Sequence, residues 1–344
     1  MDSKRTIVVA LAGNANVGKS SIFNQLTGLN QIIGNWPGKT VEKAEGKLYF
    51  EGYSIKIIDL PGIYSLSTFS IEEIVARDYI ATEHPDVIVN IVDASALERN
   101  LYFTIQLIEL QAPIVIALNQ IDFAAKRGIE IDVDKLAEIL EMPVVPTVAI
   151  TGVGVNELLS TVISIAESKI KLPKTGVQYG KEIEENVRRL EETIKEKVPQ
   201  LSKKYPPRWV AIKLLERDEE LTHQVVESDQ SAEVLTVVNE IASRIEKVHS
   251  EPSPIVMASE RYGIANHIAR EVTRVITPPR VSLEERLSEL TAHRLLGYPI
   301  LGFVVTVMFS TIFFAGGFLV GALESLFTNI LMPVSYTHLT LPTK

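Results

Sequence analysis

The sequence feature that most constrains the fold is the octapeptide GNANVGKS at residues 13–20, which fits the pattern G-x-x-x-x-G-K-[ST]. An apolar run at residues 7–12 precedes it, and apolar residues at helical spacing follow it. In this strand, loop and helix context the glycines let backbone N–H groups turn inward, and the helix N-terminus favours an anion. An ordinary glycine turn is the simpler alternative, which the flanking elements disfavour. The octapeptide therefore predicts a phosphate-binding loop.

Each position of this loop has an expected contact. Lys19 is predicted to lie over the outer phosphates of a nucleotide, and the Ser20 hydroxyl to ligate Mg²⁺. The residues expected to surround the phosphates are Asn14, Ala15, Asn16, Val17, Gly18, Lys19, Ser20 and Ser21.

Apolar runs alternate with amphipathic stretches between residues 6 and 169, which predicts an α/β fold with a mostly parallel sheet and helices on both faces. The predicted strands are 6–12, 47–50, 55–59, 87–92, 114–118 and 144–148. The predicted helices are 19–27, 70–83, 100–109, 133–140 and 156–169. Ligands of such sheets bind at the carboxyl ends of the strands, and the remaining motifs fall at those ends.

Two segments are candidates for contact with the metal ion and the terminal phosphate. Asp59 ends a predicted strand within Asp-Leu-Pro-Gly, where its carboxylate is suited to hold Mg²⁺, and Gly62 lets a backbone N–H approach the phosphate. A strand-ending turn is the alternative interpretation. The loop at 30–40 contains an exposed-looking Trp36 and ends at Thr40, the best candidate to reach Mg²⁺ when a γ-phosphate is present.

Residues after the last two strands predict the base. The Asp122 carboxylate can accept hydrogen bonds from N1–H and the exocyclic amine of guanine, which adenine does not offer in that arrangement. Asn119 is expected to brace neighbouring loops, with Gln120 beside it, although an Asn/Asp turn is the alternative. The backbone that could present an N–H to the guanine O6 comprises Val148, Ala149 and Ile150.

The order of these motifs resembles the P-loop G domain of Ras-like GTPases. The segments GNANVGKS, NWPGKT, DLPGIYSLS and VNIVDASALERNLYFTIQL are similar to the cytosolic G domain of the FeoB family of prokaryotic ferrous-iron transporters. This resemblance implies that GTP and GDP are the nucleotides, that the chain hydrolyses GTP, and that its nucleotide state is coupled to a membrane permease. It also implies small Feo accessory proteins as further partners.

Two departures from the Ras-like pattern bear on the mechanism. Ile63 stands where Ras-like enzymes carry a water-orienting glutamine, so hydrolysis is expected to be slow or assisted. The resemblance assigns Asn16 as a ligand of K⁺, which would add positive charge between the β- and γ-phosphates. Simple tolerance of left-handed backbone is the alternative for Asn16. The expected catalytic residues are Asn16, Lys19, Thr40 and Gly62. The expected ligands of Mg²⁺ and K⁺ are Ser20, Thr40, Asp59 and Asn16.

Two further differences concern the base. Gln120 stands where many GTPases have a lysine, which is expected to weaken stacking over the base while leaving the Asp122 contact. Val148 replaces the serine that is common in the last motif, which removes a brace for Asp122.

The breaker-rich segment PKTGVQYG separates a predicted G domain at 1–172 from an all-α helical domain at 173–276. Apolar residues from Ile183 step by four, three, four and four, which is the spacing of one helix face. The resemblance implies a regulatory domain that couples nucleotide state to the membrane part. A passive spacer is the alternative.

Residues 295–323 contain no charge and predict a transmembrane helix after a linker at 277–294. Arg280, Arg286 and Arg294 favour a cytoplasmic N-terminal side. We expect a cell-membrane protein, multi-pass when intact, with a cytoplasmic G domain. Residues 335–344 are interpreted as a tail added by cloning, so the chain is expected to be part of a longer protein.

Composition excludes some classes of function. The net charge of −9 argues against a nucleic-acid partner, and the absence of cysteine excludes disulfides and thiolate metal sites. A generic P-loop ATPase is disfavoured by Asn119 and Asp122. A membrane-tethered regulatory or assembly GTPase without a transport role is the remaining alternative.

Overall fold

The computed structural model describes residues 6–28, 31–36, 38–66, 70–170, 177–227, 231–276, 290–291 and 297–332. It divides the chain into two compact units, residues 1–278 and 279–344, each of which is described by itself. The predicted tail at 335–344 lies outside the described residues, as does the predicted linker at 277–294 apart from residues 290–291.

Nine strands of the first unit lie within the residues that the structure describes. They are β1 (Thr6–Gly13), β2 (Gln31–Asn35), β3 (Glu42–Phe50), β4 (Tyr53–Asp59), β5 (Val87–Asp93), β6 (Ile114–Asn119), β7 (Ile129–Ile131), β8 (Val144–Pro146) and β9 (Thr273–Val275). Seven of them form one sheet in the order β2-β3-β4-β1-β5-β6-β8, in which β4, β1, β5, β6 and β8 are parallel. β2 and β3 add an antiparallel edge, and β7 pairs with β9 in a separate ladder.

Twelve α-helices of the first unit lie within the described residues. They are α1 (Lys19–Thr27), α2 (Ile71–Glu83), α3 (Leu97–Glu109), α4 (Ile121–Lys126), α5 (Val133–Leu140), α6 (Val155–Ala166), α7 (Lys181–Lys197), α8 (Pro199–Lys204), α9 (Pro207–Leu215), α10 (Glu219–Val226), α11 (Ser231–His249) and α12 (Ser253–Val272). The predicted fold class, a mostly parallel α/β sheet followed by a helical part, is confirmed.

The two faces of the sheet pack into different cores, because successive strand residues point to opposite faces. On one face Ile7, Val9 and Leu11 of β1 pack with α1 and α6. On the other face Ala10 and Ala12 join a core that contains α2, α3 and α5. That second core continues without interruption into the helices between α7 and α12.

Helix starts follow local chemistry. The Ser70 side chain accepts a hydrogen bond from the Glu73 N–H at 3.2 Å and so caps α2. Proline occupies the first turn of α8, α9 and α12, where its missing N–H has no intrahelical partner to lose. The apolar face predicted from Ile183 is buried along α7, as its spacing requires.

The segment before Thr40 was predicted to be one continuous loop, but part of it forms a strand. Residues 31–35 form the edge strand β2, and Trp36 is buried, not exposed, with its ring edge-on to Tyr79 at 5.2 Å. The Lys43 ammonium lies 4.7 Å from the centre of the Trp36 ring. β2 was not predicted because its residues are mostly exposed on both faces, so its apolar residues need not alternate.

The second unit contains α13 (Gly297–Leu326), which continues into a π-helical turn at Phe327–Leu331. The stretch Gly297–Asn329 is 33 residues long with a mean hydropathy of 2.2, and none of its apolar window is buried. By length and composition it can cross a bilayer. The helix continues through Glu324, beyond the predicted end of the transmembrane segment at residue 323, because one charge near an end does not stop helical hydrogen bonding. The bounds of the membrane segment stay a prediction.

Candidate nucleotide-binding site

The two glycines that define the phosphate loop are required by close contacts. A Cβ on Gly13 would lie 2.6 Å from the carbonyl oxygen of Ile91 in β5. Gly18 has a positive φ of 89°, and a Cβ there would lie 2.3 Å from the side-chain nitrogen of Asn119. Both neighbours are fixed, so only glycine fits. The loop is thus held against β5 on one side and the end of β6 on the other.

Asn119 joins three parts of the site. Its side-chain amide donates to the Val17 carbonyl at 2.8 Å, and its side-chain oxygen accepts from the Ala149 N–H at 2.9 Å. The Thr147 hydroxyl lies 3.4 Å from the same oxygen. Asn119 is 1% exposed, so these bonds are shielded from water. The phosphate loop and the loop after β8 are therefore linked through one side chain.

Lys19 and Asp59 form an ion pair at the carboxyl ends of β1 and β4. The Lys19 ammonium lies 2.5 Å from the Asp59 carboxylate, and the two side chains are 11% and 15% exposed. Burial raises the pKa of Asp59, and the charge and hydrogen bond of Lys19 only partly offset this. The residue predicted to contact phosphate and the residue predicted to contact Mg²⁺ are thus adjacent.

The segment after Asp59 runs along the phosphate loop. A Cβ on Gly62 would lie 3.4 Å from the Ala15 Cα, and the Ile63 N–H donates to the Gly13 carbonyl at 3.2 Å. Ile63 is 3% exposed and belongs to the core shared with α2 and α3. Its side chain therefore has a packing role, which accounts for a hydrocarbon at this position.

Asn16 lies at the exposed side of the loop. Its φ is 66°, a left-handed conformation that asparagine tolerates better than most residues. Its carbonyl lies 3.4 Å from the Gln120 side-chain amide. The Gln120 contact was not predicted, because only the folded chain brings β6 beside the loop. Asn14, by contrast, is 3% exposed, and its side-chain oxygen has no hydrogen-bond partner among the described residues.

The other predicted residues lie around this centre without contacting it directly. Thr40 is exposed, and no hydrogen bond within the described chain joins it to Ser20 or Asp59. Asp122 is 47% exposed on α4 and lies 3.6 Å from Lys126. Those two positions remain predictions for the bound nucleotide.

The hydrogen bonds in the loop after β8 show which of the three predicted residues has an N–H available for the guanine O6. The Val148 N–H donates to the Val153 carbonyl at 3.0 Å, and the Ala149 N–H donates to Asn119. Ile150 is 86% exposed, and the described chain offers its N–H no hydrogen bond. Of the three predicted residues, Ile150 therefore has the N–H best suited to a base.

The available donors fit a Mg²⁺ ion that is held mostly by a nucleotide. Ser20 offers an exposed hydroxyl and Asp59 a carboxylate, both hard oxygen ligands. The described residues contain no group of three His, Asp or Glu side chains that could hold a metal alone. Mg²⁺ commonly binds through one or two protein oxygens plus substrate phosphates. Asn16 likewise offers K⁺ an exposed amide oxygen, although its backbone conformation fits the simpler alternative equally well.

Two family models match the chain. Ferrous iron transport protein B matches residues 7–162, and the FeoB cytosolic helical domain matches residues 179–274. A GDP-bound variant of the S. thermophilus FeoB G-domain is 38% identical, with a TM-score of 0.71 over 78% of this chain and 100% of its own. The chain belongs to the FeoB family.

Longer FeoB relatives extend beyond this chain. The Fe(2+) transporter FeoB of Methanocaldococcus jannaschii is 43% identical over 84% of the chain and 42% of its own length. A fusion of Fe(2+) transport protein A with FeoB from Porphyromonas gingivalis is 39% identical over 90% of the chain and 37% of its own length. The chain thus spans about two fifths of these curated relatives.

The FeoB helical part is tied to the sheet by buried ion pairs that sequence did not reveal. Arg261 of α12 donates to the Glu109 carboxylate of α3 at 2.7 and 2.9 Å, and also bonds Glu216. Glu109 is fully buried, and Tyr179 donates to it as well. A charged residue inside the apolar run of α3 was the available signal, but its partner, 152 positions away, was not inferable.

A second buried ion pair starts from α2. Arg77 is fully buried and bonds Asp218, at 3.3 Å, and Glu220 at the start of α10. α2 follows the segment that contacts the phosphate loop. Both α2 and α3 are thus joined to the helical part by buried ion pairs.

Proposed function

We propose that this chain is the GTP-binding and GTP-hydrolysing cytosolic part of a ferrous-iron transporter, with its nucleotide state coupled to a membrane permease. The observation that carries the proposal is the bridge made by Asn119 between the phosphate loop and the loop after β8. It supports a position for the start of α4, which carries Asp122, near the predicted phosphate-binding loop. The GDP bound to the S. thermophilus G-domain supports guanine as the base.

Different residues of the site are proposed to bind the phosphates, the base and Mg²⁺. Lys19 holds the outer phosphates, and the Asp122 carboxylate accepts from N1–H and the amine of guanine. Gly62 brings its backbone N–H to the terminal phosphate, close to Ala15. Ser20, Asp59 and Thr40 would supply oxygen ligands for Mg²⁺, and the ion would offset the charge of the phosphates.

Hydrolysis in this site is expected to be slow without help. GTP hydrolysis needs a positioned water and charge that stabilises the transferred phosphoryl group. Ile63 is a buried hydrocarbon and can do neither. We infer that Asn16 holds K⁺, which adds positive charge at the transferred group, in place of an arginine from a partner.

The proposed partners and location follow from the family. The length and composition of α13 support one segment in the lipid bilayer, and the arginines before it support a G domain on the cytoplasmic side. The remaining membrane domain of the transporter and small Feo accessory proteins are the further partners. The P. gingivalis relative, which joins Fe(2+) transport protein A to FeoB in one chain, supports such an association.

A nucleotide panel tests this function. The full chain in detergent micelles is supplied with GTP or ATP, in K⁺ or Na⁺, and phosphate release is measured. We expect GTP to be hydrolysed, ATP to be poorly used, and the GTP rate to rise in K⁺. Equal use of ATP would contradict the guanine assignment.

Asn16→Ala tests the role of K⁺ separately. The variant should lose the rise in K⁺ and keep its rate in Na⁺, because only the proposed cation ligand is removed. Asn239→Ala, the same substitution at an exposed position of α11, is the matched control and should keep the rise. Equal rates in both salts for the unmodified chain would remove Asn16 from the mechanism.

A further inference from the structure

The helix that carries Asp122 is fastened at its far end to the last strand of the first unit. α4 ends at Lys126, and the Gly128 N–H donates to the Ala125 carbonyl at 2.9 Å. The Gly128 carbonyl in turn accepts from the Ile276 N–H at 2.9 Å. Gly128 is thus bonded to α4 on one side and to the residue after β9 on the other.

The attachment continues as a ladder. β7 pairs antiparallel with β9, with Glu130 directly opposite Arg274. Beyond the ladder the Asp132 N–H donates to the Val272 carbonyl at 2.8 Å. The Lys135 ammonium lies 2.7 Å from the Glu271 carboxylate on the same side. Residues 271–276 therefore follow the chain from the end of α4 into α5.

Side chains join the same two elements. An apolar pocket of about 390 Å³, partly open to solvent, adjoins α4 and is lined by Ile121, Ala124 and Ala125 of that helix. Ile276 and Ile129 also line it. Because α4 is incompletely packed on this side, the hydrogen bonds of Gly128 also contribute to fixing the end of the helix.

α4 itself is too short to hold its own position. It has six residues, and a helix of that length is not stable without tertiary contacts. Its start is fixed by the hydrogen bonds of Asn119. Its end is fixed by Gly128 and β9. Asp122 lies between the two attachments, so the position of its carboxylate depends on both.

We propose that β9, with Ile276, is a positioning element for guanine recognition, although it lies about 150 residues after Asp122 in the sequence. It holds α4 so that the Asp122 carboxylate meets both guanine donors. This inference rests on the proposed role of Asp122. A weakened attachment releases guanine nucleotides faster without changing the phosphate contacts.

Ile276→Pro tests the proposal, because proline removes the N–H that bonds Gly128. Dissociation of GDP and of IDP is measured on the full chain in micelles by displacement of a fluorescent analogue. IDP lacks the exocyclic amine, so it makes one fewer bond to Asp122. We expect GDP to dissociate about 5- to 10-fold faster, with a clearly smaller change for IDP. Ile276→Ala keeps the N–H and is the matched control.

Equal acceleration for GDP and IDP, or no acceleration, would overturn the proposal, because a general loss of structure affects both nucleotides alike. Asp122→Asn distinguishes a failure of the proposed base recognition by Asp122 from a failure of the proposed role of β9. An unchanged GDP/IDP ratio in Asp122→Asn contradicts the base-recognition role itself. A ratio changed by Asp122→Asn but not by Ile276→Pro contradicts only the role of β9.

A second variant acts in the opposite direction and does not require a weakened fold. The chain has no cysteine, so Glu130→Cys with Arg274→Cys introduces one pair across the ladder. Directly opposite residues lie about 4.5–5.5 Å apart between Cα atoms, within reach of a disulfide. The oxidised variant should release GDP more slowly than its reduced form. Equal release in both redox states would also overturn the proposal.

Discussion

Tyr64 and Arg99 make a contact that bears directly on the phosphate site. The Arg99 guanidinium lies 4.6 Å from the centre of the Tyr64 ring. Tyr64 comes two residues after Gly62, and the Arg99 carbonyl lies 3.5 Å from the Asn14 side-chain amide. The pair therefore holds the segment after Gly62 near the phosphate loop. Exposed cation–π contacts contribute about 0.5–1 kcal/mol.

Replacing the ring tests this contact. Tyr64→Leu should lower the rate of GTP hydrolysis about 2- to 5-fold, the factor that corresponds to the loss of one such contact. GDP affinity should stay unchanged, because Gly62 is expected to contact only the terminal phosphate. Tyr64→Phe keeps the ring and should keep the rate. Single-turnover phosphate release measures it, and equal rates in the Leu and Phe variants would exclude the cation–π contact.

Single residues were predictable where a motif fixes both residue type and position. Gly13 and Gly18 are of this kind, since close contacts with Ile91 and Asn119 require glycine there. The phosphate contact of Lys19 stays a prediction. The contact of Gln120 with Asn16 was not predictable, because it joins two loops more than a hundred positions apart. Nothing in the sequence indicated that the side-chain oxygen of Asn14 has no hydrogen-bond partner among the described residues.

At the scale of helices, the buried bond between α3 and α12 should contribute strongly to stability. Glu109→Gln leaves the Arg261 charge short of one buried partner, and removing a partner of this kind costs about 3–5 kcal/mol. Urea unfolding of the full chain in micelles measures the loss. Arg189→Ala breaks an exposed pair with Glu240 and should cost much less, because solvent screens that pair. Similar losses in the two variants would show that burial does not matter here.

Glu216 gives the same network a dependence on pH. Burial raises the pKa of Glu216, but the charges and hydrogen bonds of Arg261 and Lys213 outweigh burial and lower it to about 2 from 4.5. A lowered carboxyl pKa stabilises the folded state above the unfolded pKa, and this stability is lost as pH falls from about 4.5 to about 2.

The loss should amount to about 3 kcal/mol, since one pKa unit corresponds to about 1.4 kcal/mol. Unfolding free energies measured between pH 5 and pH 2 should therefore fall more steeply in the unmodified chain than in Glu216→Gln. Glu240→Gln, whose carboxylate is exposed, is the matched control and should keep most of the slope. Parallel curves for the unmodified chain and Glu216→Gln would contradict the lowered pKa.

Helices and strands were predicted where burial imposes a recognisable pattern of apolar residues on the sequence. The parallel strands are continuous apolar runs, and α7 shows its face at regular steps. β2 was missed because its residues are mostly exposed, so burial imposes no apolar pattern on it. β7 and β9 were missed because each has three residues with a charged one in the middle, and so forms no continuous apolar run. The division at residues 172 and 173 stays a prediction.

At the scale of the whole molecule, α13 is expected to insert in a membrane, and a charge at its centre tests this. Phe313 is 77% exposed near the middle of the helix. Phe313→Arg should weaken insertion by about 2.5–3.5 kcal/mol on insertion scales, whereas Phe313→Leu should not. Retention in membranes after alkaline extraction measures the effect. Equal retention of the Arg variant would contradict a lipid-facing span.

Mutations in the two cores on either side of the sheet should destabilise different portions of the molecule. A cavity opened between the sheet and α1 or α6 weakens a core confined to the G fold. A cavity opened against α2 or α3 weakens a core that extends into the helices up to α12. Random substitution should therefore be tolerated unequally on the two faces. Over evolutionary time, the shared face should change through compensating pairs of substitutions, one in each family segment, and the other face through independent single changes.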